Sequence, residues 1–156
     1  MLVRIVRQST LEEVQMRIRN YEKEYSMTFD EFEELFLKKK LDQHLIGVYS
    51  EWASLVHAYR GYVEGGELDR AIEETRDLKP KETALLTPKR LELLYSLASL
   101  RPESINDLAQ KTRRNVKNVY QDLKALKNLG FVTFKKHGKR NIIPETRVEE
   151  ITLLIR

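Results

Sequence analysis

Residues 112–126 read TRRNVKNVYQDLKAL, and they bring two arginines, two asparagines, a glutamine and two lysines into one turn and one expected helix. These side chains suit hydrogen-bonded recognition of a polyanion. Arginine and lysine fit phosphates or the guanine edge, and asparagine and glutamine fit the adenine edge. On a helix at about 100° per residue, Val116, Val119, Tyr120, Leu123 and Leu126 share one side and are expected to face a core. Lys117, Gln121 and Lys124 fall on the other side, with Asn118 near its edge. Arg113, Arg114 and Asn115 surround the helix start, where the backbone dipole is also positive. Asp122 is the only acid between Asp107 and Glu145. Arg114, Asn115, Lys117, Asn118 and Gln121 are therefore the candidates for base contacts, and Arg113 and Lys124 for phosphates. A second cationic cluster, KKHGKR at 135–140, adds Lys135, Lys136, Lys139 and Arg140 as phosphate candidates. The plain alternative is a solvated basic helix and a solubilising hairpin tip.

Elements expected around this stretch give it a place. Thr87 and Pro88 suit a helix cap and first position. Leu91, Leu94, Tyr95, Ala98 and Leu100 supply the apolar face of that helix. Ser104, with Asp107 three residues on, starts a second helix that buries Ile105, Leu108 and Ala109. The turn at 112–115 contains no glycine, and a third helix over about 115–129 ends at Gly130. FVTFKKHGKRNII at 131–143 alternates apolar and polar residues around HG, which predicts a two-stranded hairpin. Helix, helix, turn, helix and basic hairpin is the order of a winged helix-turn-helix. In that arrangement a helix enters the major groove and the wing carries cations to phosphates.

The first half of the chain reads differently. Leu2, Val3, Ile5 and Val6 suit a short strand or an arm. Ser9 with Glu12, and Thr28 with Glu31, mark two helix starts of the capping-box type. A third helix is expected from about Asp42 to Val63, a short helix over about 67–77, then a linker carrying Pro80. The last stretch, VEEITLLIR, fits strand or helix. The fold class predicted is mainly α with a small β-hairpin wing. Residues 1–79 form an N-terminal helical region for dimerisation or partner binding, and residues 80–156 form the winged helix-turn-helix domain.

Charge follows the same division. Residues 1–79 hold 12 Lys/Arg against 16 Asp/Glu, whereas residues 80–156 hold 16 against 8. Such asymmetry points to a polyanion partner for the second half only. There are no cysteines, which excludes disulfides and thiolate metal sites. No apolar run approaches the ~18 residues of a membrane span, and the opening MLVRIVRQST lacks a signal-peptide core, so a cytoplasmic location is expected. His44, His57 and His137 have no ligand spacing, and phosphate-cradling glycine loops and nucleophile elbows are absent from the sequence. Neither a catalytic residue, a metal nor a cofactor is expected, and the chain does not read as an enzyme.

TPKRLELLYSLASLRPESINDLAQKTRRNVKNVYQDLKALKNLGFV resembles the winged helix-turn-helix transcriptional regulators of archaea and bacteria. It is especially similar to an archaeal group with an arginine- and lysine-rich wing, over roughly residues 86–144. Some members of that group look like the antitoxin half of toxin–antitoxin pairs, and YEKEYSMTFDEFEELF with EWASLVHAY is similar to the N-terminal regions of such antitoxins. The expectation is a double-stranded-DNA-binding regulator that represses its own operon. It would act as a homodimer, since two-fold proteins match palindromic sites. The alternative is a protein-interaction module whose acidic helices neutralise a toxin encoded by a neighbouring gene.

Overall fold

The computed structural model describes residues 1–155. The chain runs β1 (Leu2–Gln8), α1 (Leu11–Tyr25), α2 (Phe29–Leu37), a 3-10 turn (Gln43–Leu45), α3 (Ile46–Gly65), β2 (Ala71–Asp77), α4 (Pro80–Thr83), α5 (Pro88–Leu100), α6 (Ile105–Thr112), α7 (Val116–Asn128), β3 (Thr133–His137), β4 (Asn141–Glu145) and β5 (Val148–Leu153). It groups into two compact units: Met1–Arg7 with the chain from Glu73 onward, and Gln8–Ile72.

The expectation of a mainly α fold with one hairpin is overturned. The fold is mixed α/β, 55% helix and 19% strand, in two antiparallel sheets. One is the expected hairpin, β3–β4; the other is three-stranded, in the order β2–β1–β5. The difference lies in the short helix expected over about 67–77, where AIEETRD (71–77) has the charged composition of an exposed helix. These residues are instead strand β2, with side chains alternating between exposed and half-buried. β1 and β5 pair across nearly the whole chain, Val3 opposite Leu153 and Ile5 opposite Ile151. Val3 and Ile5 point into the core. Arg4, between them, points outward and reaches Glu150 at 3.2 Å. A pairing so distant in sequence leaves no local signature beyond alternation.

Within Gln8–Ile72 the helices pack around an aromatic core. α1 is capped by Thr10 and Glu13, one residue later than expected, while Thr28 and Glu31 cap α2 as predicted. The expected 42–63 helix begins only at Ile46, because Asp42 caps a 3-10 turn first. Trp52 is fully buried, with the rings of Tyr21, Tyr25, Phe29 and Phe32 at 5.0–6.0 Å.

In the other unit, leucines from α5, α6 and α7 meet Phe131, Val132 and the inner face of β1. α5 turns a different side inward than expected. Leu93, Leu94 and Leu97 are buried, whereas Leu91, Tyr95, Ala98 and Leu100 are exposed. At 100° per residue the five leucines of this helix fall within one half of its circumference, and packing on α6 and α7 buries the middle of that half, Leu93, Leu94 and Leu97, rather than the edge that Leu91 and Tyr95 share.

Candidate nucleic-acid interface

Local chemistry fixes where α7 begins. Ser104 caps α6 by accepting from the Asp107 amide at 3.0 Å. Asp107 in turn accepts from the Glu103 amide and from Lys111, which holds its carboxyl below the ordinary aspartate range. α6 stops at Arg113, whose φ of 54° is left-handed, and the Arg113 amide closes back onto Ala109 and Gln110. Asn115 then caps α7, its side-chain oxygen accepting from the amides of Lys117 (2.9 Å) and Asn118 (3.4 Å). The turn is made by an arginine in a glycine-like conformation followed by an asparagine cap.

An ionic clamp braces this turn. Asp122, on α7, accepts from Arg90 of α5 at 3.0 Å and from Arg114 of the turn. Its side chain is 15% exposed, and those of Arg90 and Arg114 are 22% and 24% exposed. Burial pushes the Asp122 pKa up, but hydrogen bonds and charge from Arg114 and Arg90 outweigh it, so the carboxyl titrates below its ordinary value. Arg90 also donates to the Leu85 carbonyl.

Lys117, Asn118, Gln121 and Lys124 are all exposed on α7, and Arg113 and Asn115 are exposed at its start. Arg114 differs from the other base-contact candidates in being half-buried and already paired. Asn115 is exposed, and its side-chain oxygen is taken up by the cap.

The expected core stripe of α7 needs correcting. Val119, Leu123 and Leu126 are buried, but Val116 and Tyr120 are 44% and 39% exposed. On the helical wheel these two lie at the stripe's edge, and they turn toward the β3–β4 hairpin. The Tyr120 ring lies 6.2 Å from Phe134 of β3, nearly parallel at 18°. Lys124 sits over Tyr120 at 5.6 Å, and Lys127 over Phe134 at 4.9 Å. Each cation–ring contact contributes about 0.5–1 kcal/mol at an exposed site, and the pair sets two ammonium groups along the seam between helix and hairpin. Lys127, absent from the candidates above, had as its sequence signal its place one turn beyond Lys124 and two turns beyond Tyr120.

In the hairpin, Phe134 pairs with Pro144 and Lys136 with Ile142. Lys135, Lys136, Lys139 and Arg140 are all exposed. Strand alternation puts Lys136 on the Phe134 side and Lys135 on the opposite side, so the four cations do not share one face. Gly138 takes the left-handed turn position, φ 71°. Between the start of α6, α7 and β4 lies a cavity of about 210 Å³, with Val116 and Tyr120 among its apolar lining and Asn106, Arg140 and Asn141 among its polar lining. Among the described residues, no group of three or more His, Cys, Asp or Glu is placed to hold a metal ion. Nor, among them, is any helix long and apolar enough to cross a membrane.

Arg113 offers a clean test of its own role. A non-glycine residue at φ 54° carries strain of order 1 kcal/mol. Arg113→Gly is expected to leave the melting temperature unchanged or slightly raised, while lowering the slope of log affinity against log salt for duplex DNA by about one. An unchanged slope would remove Arg113 from the candidates for phosphate contact.

The family model HVO_A0114 matches residues 85–153, the segment from the end of α4 through β5. No curated protein matches the chain. Over that segment, which holds α5, α6, α7 and the hairpin, the chain is similar to the HVO_A0114 family.

Proposed function

We propose that this protein is a cytoplasmic, sequence-specific regulator that binds double-stranded DNA through a winged helix-turn-helix and represses its own operon as a homodimer. The observation that carries the reading is the exposed arc of α7. It holds Lys117, Gln121, Lys124 and Lys127 with no acid among them, beside a hairpin tip rich in exposed cations. A merely solvated helix usually mixes glutamate with lysine; here the one acid, Asp122, is turned inward onto two arginines. In this reading α7 enters the major groove. Lys117, Asn118 and Gln121 meet base edges, with Asn115 adding its side-chain N–H donors. Arg113, Lys124, Lys136, Lys139 and Arg140 meet phosphates, Lys135 lies on the hairpin side away from α7, and Arg114 holds the turn through Asp122.

The test is binding to genomic fragments at two salt concentrations, followed by single substitutions on a recovered site. Lys117→Ala is expected to change sequence preference, since a good contact to a base edge discriminates by about 1–3 kcal/mol. Lys139→Ala is expected to weaken binding to all duplexes alike and to flatten the salt slope by about one. Unchanged binding in both variants would end the assignment.

A second reading concerns Gln8–Ile72. That unit holds 8 Lys/Arg against 13 Asp/Glu, and it exposes Met16, Leu37, Ile46 and Val63. An acidic surface with accessible apolar side chains suits a basic protein partner, such as a toxin encoded next to this gene. Co-expression with the neighbouring product tests it: a stable complex that survives neutralising the hairpin cations supports the reading, and no complex rejects it.

A further inference from the structure

We propose that Val116 and Tyr120 form an apolar slot for the 5-methyl group of a thymine in the major groove, making them specificity-determining residues that the polar side chains of α7 cannot replace. The inference rests on the duplex-binding reading above and names a base feature that this surface would select.

Three observations converge on it. First, Val116 and Tyr120 lie one helical turn apart and are 44% and 39% exposed, although α7 has a sufficient buried stripe in Val119, Leu123 and Leu126. They sit on the same outward arc as Lys117, Lys124 and Lys127. Second, they line a cavity of about 210 Å³ whose lining includes Arg140 and Asn141 at the hairpin and Asn106 on α6, with no acid. An apolar floor with an amide and cationic rim suits a nucleotide edge, which joins an apolar group to hydrogen-bonding groups and a phosphate. Third, Val116 is the first residue of α7, and it is the N-terminal end of a groove-inserted helix that reaches base edges. The thymine methyl is the apolar group that base edges present in that groove, and apolar side chains are its partners. The surrounding positive charge favours this occupant over an acid-poor protein surface, because duplex DNA is both polyanionic and dotted with methyl groups.

Tyr120 is held for the purpose. Its ring rests against Phe134 and beneath Lys124, so its position is set before any ligand arrives. Its free edge and the Val116 methyls supply the contact, while Arg140 is placed to pair with a flanking phosphate.

The experiment replaces each thymine of a recovered duplex site, one at a time, by deoxyuridine, which removes only the methyl group. The wild-type protein is expected to lose about fourfold in affinity at one or two positions, the equivalent of burying one methyl. Val116→Ala is expected to bind with an unchanged salt slope and to lose that sensitivity; both side chains are half-exposed, so a melting curve serves as the folding control. Tyr120→Phe should keep the sensitivity, and Tyr120→Ala should lose it. If the wild type binds duplex with a steep salt dependence but ignores every deoxyuridine, this inference fails and the regulator reading stands. If methyl sensitivity persists in both alanine variants, other residues read the methyl and the assignment fails. If no fragment is bound at either salt concentration, both readings fall.

Discussion

Asp122→Ala is expected to lower stability by about 2–3 kcal/mol, which for a chain of this size moves the melting temperature down by roughly 5–10 °C. Removing one partner of a fully buried ion pair costs about 3–5 kcal/mol, because the remaining charge is stranded. Asp122 holds two guanidinium groups and is 15% exposed, which places it below that range but far above a surface pair. Asp122→Asn keeps the shape and one acceptor, so roughly half the loss is expected. The carboxyl is more acidic folded than unfolded. Its contribution is therefore complete above the ordinary aspartate value, about 3.9, and lost as pH falls through the lower folded value. Wild type should lose this increment on acidification, and Asp122→Ala should not. Thermal melts across that pH range check both statements, and an alanine variant melting within 2 °C of wild type would overturn the first.

The same variant separates two roles for Arg114. If the clamp positions the turn, Asp122→Ala loses at least tenfold in duplex affinity, as Asn115 and Lys117 lose their fixed origin. If Arg114 is itself a base contact, releasing it from Asp122 would strengthen binding while stability falls. Titration of the variant against a recovered duplex distinguishes the two, and we expect the loss.

The second large effect lies in the helical unit. Trp52→Ala is expected to cost about 3–5 kcal/mol, a large share of the ~5–15 kcal/mol that stabilises a typical protein. Trp52 is fully buried with four rings around it, so its loss empties the middle of the aromatic core. Trp52→Phe should cost only about 1–2 kcal/mol. It keeps a ring in place and removes an indole N–H that finds no acceptor among the described residues. Far-UV circular dichroism melts of the two variants check the ordering; equal melting temperatures would mean that ring packing at this position is not what holds the unit together. If the acidic unit binds a partner, Trp52→Ala should abolish that complex.

Much of the local structure was legible because it is local. Thr28 with Glu31, Thr87 with Pro88, Ser104 with Asp107, and Gly130 after α7 all declare helix ends through interactions within a few residues. The hairpin declared itself through alternation around His137–Gly138. The cationic residues at 113–124 and 135–140 were likewise visible as types and spacings.

What the sequence determined by itself was which side chains could meet a polyanion, and the order of the elements that carry them. The tertiary structure alone decided the rest, because it depends on pairings that span the chain. AIEETRD is a strand because β1 lies beside it, and VEEITL is a strand because residues some 146 positions earlier complete its ladder. The leucines of α5 spread over half of the helix, and its neighbours select which part of that half is buried. Asp122 looks like any helical acid until Arg90 and Arg114 arrive from two other elements. Val116 and Tyr120 satisfy the core period of α7 and are nonetheless left at the surface, because Val119, Leu123 and Leu126 alone make the stripe that the core covers, and Tyr120 rests beside Phe134 of the hairpin instead.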